Sequence, residues 1–537
     1  LERGRGKDLA QGLLWAPGMQ STILTGAILG VDAYKVIVEV DLGGGLPKVE
    51  IVGLPEGAVR ESKVRVESAI KAARCHYPLQ RICVNLAPAD TRKDGSALDM
   101  PIALGILVAT GALSQECVQN VMVAGELSLS GELRPVRGAL PLAVLTRDLG
   151  IKELLLPPES CSQAAVVAGI NVRAVPTLRA AVDHLRGHNI IPVTLPPAHS
   201  QEAPDDLVDL SDVRGQLLPK RALEIAAAGG HNMLLVGPPG SGKTMLAQRL
   251  PTLLPSMSFE EALSATKVYS VMGLIPAGKG LMVRRPYRAP HSTASDVALC
   301  GGGSPPRPGE VSLAHHGVLF LDEVTLFKRS TLEALRQPLE EGQVTVSRAT
   351  MSVTFPARCV LIVAMNPCPC GFRGDGRQRC TCRPQEIAQY RARISGPLMD
   401  RIDIHVECHA LRAEDLKTPS LVGSAQVRAR VEAGREVQRQ RFRSVPHVHC
   451  NAQMTSRLVH QHCQPDAASM ELLREVVDNL GMSARTHDRI LKVARTIADL
   501  ARSPDVTFDH VIEAVNFRVM DRGHPAGGAD EGAMVPL

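Results

Sequence analysis

The run Gly237-Pro238-Pro239-Gly240-Ser241-Gly242-Lys243-Thr244 matches the spacing G-x-x-x-x-G-K-[ST] at every fixed position. Glycines at 237, 240 and 242 let the backbone curl so that successive N–H groups point at phosphate oxygens. In that arrangement Lys243 reaches the β and γ phosphates and the Thr244 hydroxyl holds Mg²⁺. Downstream, the apolar run Val318-Leu319-Phe320-Leu321 ends in Asp322-Glu323. Two carboxylates there need a cation or water beside them. Asp322 would support Mg²⁺, and Glu323 would polarise an attacking water. A second apolar run, from Cys359 to Met365, ends in Asn366. That amide either positions the lytic water or simply starts a turn before Pro367. Arg401 stands between Asp400 and Asp403. As an arginine finger it would stabilise transition-state charge at a neighbouring subunit's γ-phosphate; as a structural residue it would form an intrachain salt bridge. Arg485 begins a predicted helix, where it either reaches a γ-phosphate in cis or stays solvated.

These residues need a scaffold of strand ends. Asn232 to Val236 reads as a strand entering the glycine loop, and Met245 to Leu250 as the helix leaving it. Ahead of them, residues 20 to 53 read as β-rich, with runs at 36–41 and 49–52 on either side of Gly43-Gly44-Gly45-Leu46-Pro47. An amphipathic helix is predicted over 56–74, a strand over 82–86, and a buried helix over 99–112 with Pro101 in its first turn. A further strand pair starts at Val121. Residues 189–210 are rich in proline and acidic residues and read as a linker. Beyond 411 the pattern is helical.

The bulk numbers fit such a molecule. A chain of 537 residues implies about three domains. Hydrophobic residues make up 45% and charged residues 21%, as in ordinary globular proteins, while aromatics at 3% leave the cores to aliphatic side chains. A net charge of +5 permits a nucleic-acid partner without requiring one. No apolar stretch is long enough to span a bilayer, and the first residues lack the apolar centre of a signal peptide. The expectation is a cytoplasmic protein whose 13 cysteines are reduced or bind metal. Residues 1–18, with the only tryptophan, are expected to be non-native or disordered, with Met19 as the natural start; the tail 523–537 is also expected to be disordered.

Eight segments together carry a family resemblance: VNLAPAD (84–90), ALDMPIALG (97–105), AAAGGHNMLLVGPPGSGKTMLA (226–247), RAPHSTAS (288–295), GVLFLDEV (317–324), NPCPCG (366–371), SGPLMDRIDIHV (395–406) and ILKVARTIADL (490–500). The chain resembles the ComM/YifB family, magnesium-chelatase-like AAA+ ATPases, from Met19 to about residue 520. The resemblance implies an α/β molecule in three parts. These are a Lon-protease-type α+β domain (19–188), an AAA+ P-loop α/β core (211–410) and a C-terminal helical lid (411–522). It implies ATP and Mg²⁺ as cofactors, with ATP at the interfaces of a homo-oligomeric ring, usually a hexamer. It gives Lys243, Thr244, Asp322, Glu323, Asn366, Arg401 and Arg485 the roles described above. It also implies that the first domain is not a protease. Ala97 stands at the spacing of the Lon-type serine, with Ser96 one residue early, and Leu140 stands where the lysine belongs. A dyad needs a hydroxyl and an amine in contact.

The partner implied is DNA, single-stranded or branched. Residues 341–356 read as a β-hairpin with Arg348 near its tip; such a hairpin projects into the ring pore in related helicases. The insert 273–309 brings Arg284 and Arg285 among glycines and prolines. Arginines at 428, 430, 435, 439, 441 and 443 form either a phosphate-binding face or a solvated one shared with Glu432 and Glu436. Cys368, Cys370, Cys380 and Cys382 put four thiols in one short loop, the donor set of a structural Zn²⁺. The function expected is an ATP-driven helicase promoting branch migration of recombination intermediates during natural transformation. The alternative is a chelatase-type motor remodelling a protein or tetrapyrrole-enzyme partner.

Overall fold

The computed structural model describes residues 20–55, 57–93, 95–197, 208–348, 351–375, 378–410, 422–480 and 484–518. The expectations for 1–18, for 523–537 and for residues 198–207 of the linker fall outside these residues. The chain forms two compact units. One comprises residues up to His199 together with Thr266–Leu281, and the other comprises Ser200–Ala265 with Met282 onward. The insert expected over 273–309 is therefore divided between them.

The first unit is built on a seven-stranded mixed sheet. Strands Gln20–Leu29 and Asp32–Gly43 form a long antiparallel hairpin in which Gln20 faces Asp41. The glycine-rich turn after Gly43 closes no hairpin. Strand Lys48–Val52 pairs in parallel with Arg81–Ala87, which lies between it and Asp32–Gly43. The helix Gly57–Ala72 supplies the crossover that parallel pairing requires. Helix Asp99–Ala109 is buried along its whole length, with Pro101 at its start as expected. Its apolar residues pack with Ile23, Val38 and Val84 of the sheet.

The second unit is an α/β domain with a five-stranded parallel sheet. Its order runs Tyr287–Arg288, Val318–Leu321, Val360–Met365, Met233–Val236, Ile404–Glu407. The three central strands are buried at every position, the pattern of a sheet covered on both faces. One face packs Leu246, Ala247 and Leu250 together with Val427, Val431, Ile490, Ala494 and Val511. The C-terminal helices Ser424–Arg441, Ala484–Leu500 and Phe508–Asn516 thus share an apolar core with the sheet. The opposite face packs Leu299, Val311, Leu332 and Leu398. The expected hairpin forms from Gln343–Arg348 and Met351–Pro356, with Arg348 paired to Met351 at its end. All 13 cysteines are free thiols. No helix among the described residues is long and apolar enough to cross a membrane.

Candidate nucleotide site

Three neighbouring parallel strands bring their C-terminal ends to one edge. Val236 pairs with Met365, and Leu321 with Val363, so the residues that follow each strand emerge side by side. The sheet order places Met233–Val236 between Val360–Met365 and Ile404–Glu407, and the crevice beyond the C-terminal ends of parallel strands is where ligands bind. Gly237 begins the glycine loop under tight constraint, since a Cβ there would stand 2.3 Å from the Cys408 carbonyl oxygen. Gly240 and Gly242 take φ of 76° and 87°, values that side chains disfavour. Gly242 then caps helix Lys243–Leu253.

The side chains converge as expected. Lys243 Nζ donates to the carbonyls of Gly237 at 2.7 Å and Pro238 at 2.9 Å, and lies 3.3 Å from Asn366 Oδ1. Burial pushes the Lys243 ammonium below its ordinary value, while Cys408, Asp322 and Glu323 pull the other way. The Thr244 hydroxyl donates to Asp322 Oδ2 at 2.8 Å. Asp322 Oδ1 accepts the Glu323 N–H at 2.9 Å. Glu323 is exposed, with φ of 46° at the strand end. The Ser241 hydroxyl is buried with no hydrogen-bond partner among the described residues. A hydroxyl and a carboxylate in contact, a lysine folded onto its own loop and an unsatisfied hydroxyl in the cradle fit a triphosphate with Mg²⁺ held by Thr244 and Asp322.

Arg401 and Arg485 belong to a different neighbourhood. The buried Arg401 guanidinium pairs with the Glu340 carboxylate and donates to the Pro397 carbonyl at 2.7 Å. Arg485 is exposed. Arg401 chiefly, by hydrogen bond and charge, then Arg485 and Arg336 hold the Glu340 carboxyl below its usual range. Beside Arg401, a cavity of about 400 Å³ is lined by Glu333, Arg336, Gln337 and Glu340. Sequence reasoning missed Glu340, whose partner is distant in the chain. It also missed Gln216, which donates to the Ser241 carbonyl at 2.9 Å and the His409 carbonyl at 2.6 Å. Gln216 supports the glycine loop from behind, and no local motif marks it.

The basic candidates divide. Arg348 is exposed, and its guanidinium lies 3.6 Å from where a Gly302 Cβ would stand, so the hairpin end and the insert adjoin. Arg284 is exposed. Arg285 is not placed to meet a ligand: it donates to the carbonyls of Pro255 at 2.6 Å and His316 at 2.7 Å and pairs with Glu261 at 2.9 Å. On helix Ser424–Arg441, Arg430 pairs with Glu224, Arg435 donates to the Ala227 carbonyl and Arg441 pairs with Asp499. Those three arginines fasten the helix to its own unit. The four thiols come together, with their sulfurs all within 4.8 Å of one another.

The fold and this site define a P-loop ATPase of the magnesium-chelatase-like AAA+ class. Three family models match: "Magnesium chelatase, subunit ChlI" over residues 209–416, "Subunit ChlI of Mg-chelatase" over 38–160, and "Magnesium chelatase, subunit ChlI C-terminal" over 422–518. Competence protein ComM of Haemophilus influenzae is 41% identical over 501 residues, 92% of this chain and 97% of that protein. Uncharacterized protein YifB of Escherichia coli is 41% identical over 504 residues, 94% of this chain and 97% of its own. The chloroplastic magnesium-chelatase subunit ChlI-1 of Arabidopsis thaliana is 24% identical over 331 residues, covering 56% of this chain and 71% of that one. The chain belongs to the ComM/YifB family.

Proposed function

We propose that the protein is a cytoplasmic, ATP-driven ring motor acting on DNA, a helicase that promotes branch migration of recombination intermediates during natural transformation. The observation that carries the reading is the convergence of Lys243, Thr244, Asp322 and Asn366 at adjoining strand ends, with Arg401 in a separate acidic neighbourhood. Mg²⁺ held by Thr244 and Asp322 would neutralise phosphate charge. The glycine-loop amides and Lys243 hold the phosphates. Glu323 accepts the proton of the attacking water, and Asn366 orients that water. Arg401 acts across a subunit interface, leaving Glu340 for the γ-phosphate of a neighbour in a homo-oligomer, a hexamer in this reading. The sequence suggests a cis contact for Arg485, but it shares the Glu340 neighbourhood with Arg401, so it acts on the same neighbouring subunit's γ-phosphate from the C-terminal helices, which serve as a lid.

Arg348 at the hairpin end and Arg284 in the adjoining insert contact the DNA backbone, so binding is directed by structure more than by base sequence. The first unit is a Lon-type domain without a dyad, acting in ring assembly or DNA contact. Cys368, Cys370, Cys380 and Cys382 hold one structural Zn²⁺.

The test is ATP hydrolysis without DNA and with single-stranded, duplex and four-way-junction DNA, using Lys243→Ala as the control. Stimulation by DNA that the variant loses supports the motor. Turnover indifferent to every DNA overturns the DNA reading and favours a chelatase-type motor with a protein or tetrapyrrole-enzyme partner.

A further inference from the structure

The strand that ends at Asn366 runs directly into the four-cysteine loop. Cys368 Sγ lies 3.3 Å from Cys370 Sγ and 3.7 Å from Cys380 Sγ, and Cys370 Sγ lies 3.6 Å from Cys380 Sγ. Four thiolates around one Zn²⁺, with Zn–S of about 2.3 Å, stand roughly 3.8 Å apart, so the donors are close to their bound spacing. The Cys370 N–H donates to Cys382 Sγ at 3.3 Å, the kind of outer bond that orients a metal thiolate. Cys368 is buried and the other three are half-buried.

This cluster adjoins the phosphate loop. Gly371, at φ of 86°, comes so close to Pro239 that a Cβ would stand 2.9 Å from Pro239 Cδ and 3.1 Å from its Cγ. Gly371 is tied back to the first ligand by its N–H, which donates to the Cys368 carbonyl at 3.0 Å. On the other side, only Pro367 separates Cys368 from Asn366, whose amide oxygen lies 3.3 Å from Lys243 Nζ. The loop therefore meets the nucleotide site twice, at Pro239 in the glycine loop and at Asn366 beside the lysine.

We propose that zinc at Cys368, Cys370, Cys380 and Cys382 is a positioning device for the ATP site, holding Asn366 and the glycine loop in their working geometry. The proposal rests on the ATPase and zinc readings above and adds a coupling between them. The two routes act on different things. Pro239 braces the backbone whose amides receive the phosphates. Asn366 sets where the attacking water and the Lys243 ammonium stand. Loss of zinc should lower kcat more than it raises KM for ATP, because Thr244, Asp322 and most of the loop persist.

The experiment uses the full chain and four readouts: zinc by elemental analysis, kcat and KM for ATP, thermal melting, and amide hydrogen exchange at Gly240, Ser241 and Gly242. Three preparations are compared: the holoprotein, the protein stripped by a chelator under reducing conditions, and Gly371→Ala. The expected holoprotein carries one zinc per chain. Stripping should lower kcat about tenfold or more, the scale of losing a group that orients a working side chain from behind. It should speed exchange at the three amides and leave a cooperative melt. Re-addition of zinc should restore all readouts, and Co²⁺ should restore turnover with a thiolate-to-metal absorption band. Gly371→Ala should keep its zinc yet lose turnover, which separates the brace from the metal itself. A chain that binds no zinc overturns both the zinc reading and the coupling. Bound zinc whose removal changes neither kcat nor exchange overturns the coupling alone. If the holoprotein holds zinc but hydrolyses no ATP, the ATPase reading fails, and exchange at the three amides decides the coupling. Should stripping unfold the chain, Gly371→Ala decides: unchanged turnover in that variant overturns the proposal.

Discussion

The two units put clustered polar groups to opposite ends. In the second unit, three parallel strands deliver the glycine loop, Asp322 and Asn366 to one edge. There the groups stand beside one another without being mutually exhausted: Glu323 is exposed and the Ser241 hydroxyl is unsatisfied. In the first unit, polar groups close on each other. Asp99 accepts from Arg65 Nε at 2.6 Å and Nη2 at 3.0 Å, and from the Leu127 N–H at 3.2 Å. Burial pushes the Asp99 carboxyl up, against the pull of Arg65. Ser96 Oγ lies against the Glu126 carboxylate. Leu140, at the spacing where a Lon-type lysine would stand, is fully buried. A site able to do chemistry keeps some hydrogen-bonding capacity in reserve for its ligand. A polar cluster whose groups satisfy one another is structural.

Substitutions put that contrast to the test. The largest effect is expected at Lys243→Ala, with phosphate release falling by on the order of a thousandfold or more. Arg401→Ala should lower turnover by roughly a thousandfold while nucleotide binding, measured by fluorescent-ATP titration, stays. Equal turnover would end its assignment as a finger. Arg65→Ala should instead destabilise the first unit by about 3–5 kcal/mol, because it strands a buried carboxylate. A thermal or denaturant melt reads that loss, and a neutral outcome would mean that Asp99 is not held as an ion.

A smaller effect depends on pH. Burial, then the neighbouring charges of His316 and Arg358, hold the His315 imidazole well below its ordinary value. Its Nδ1 accepts the Arg358 N–H at 3.1 Å. The unfolded chain takes up that proton below about pH 6.5, where the folded one does not. Stability of the second unit should therefore fall as pH drops from about 6.5, by at most about 1.4 kcal/mol per pH unit for this group. His315→Gln should flatten the slope, read from melts at about pH 7 and about pH 5.5. The smallest effect is expected at Ser96→Ala, which should leave ATP turnover unchanged; peptide cleavage by the parent chain that this variant loses would contradict the reading of the first unit.

The candidate nucleotide site is legible in the sequence because each part is local. A glycine loop, an acid-ended apolar strand and an Asn-ended strand each write their geometry into consecutive residues, and parallel pairing then brings them together. Arg285 was misjudged because its fate depends on carbonyls at Pro255 and His316, remote in the chain. For the arginines of helix Ser424–Arg441 the sequence leaves a phosphate-binding face and a solvated face open, because it does not show that Glu224 and Asp499, remote in the chain, take up Arg430 and Arg441. The sequence marks strands on either side of the turn after Gly43 but does not say that Lys48–Val52 pairs with the distant Arg81–Ala87. Glycine and proline set where a chain bends, and the partner is chosen by what can be buried.

The backbone at Glu323 has a consequence for protein engineering. A residue with a side chain held at φ of 46° sits in a region costing roughly 1–2 kcal/mol relative to glycine. A search for heat-tolerant variants would therefore favour Glu323→Gly, which relieves the strain and discards the carboxylate together. If Glu323 activates the attacking water as proposed, such a protein would melt later and lose ATP turnover. Selection for endurance and selection for work pull in opposite directions at this one residue.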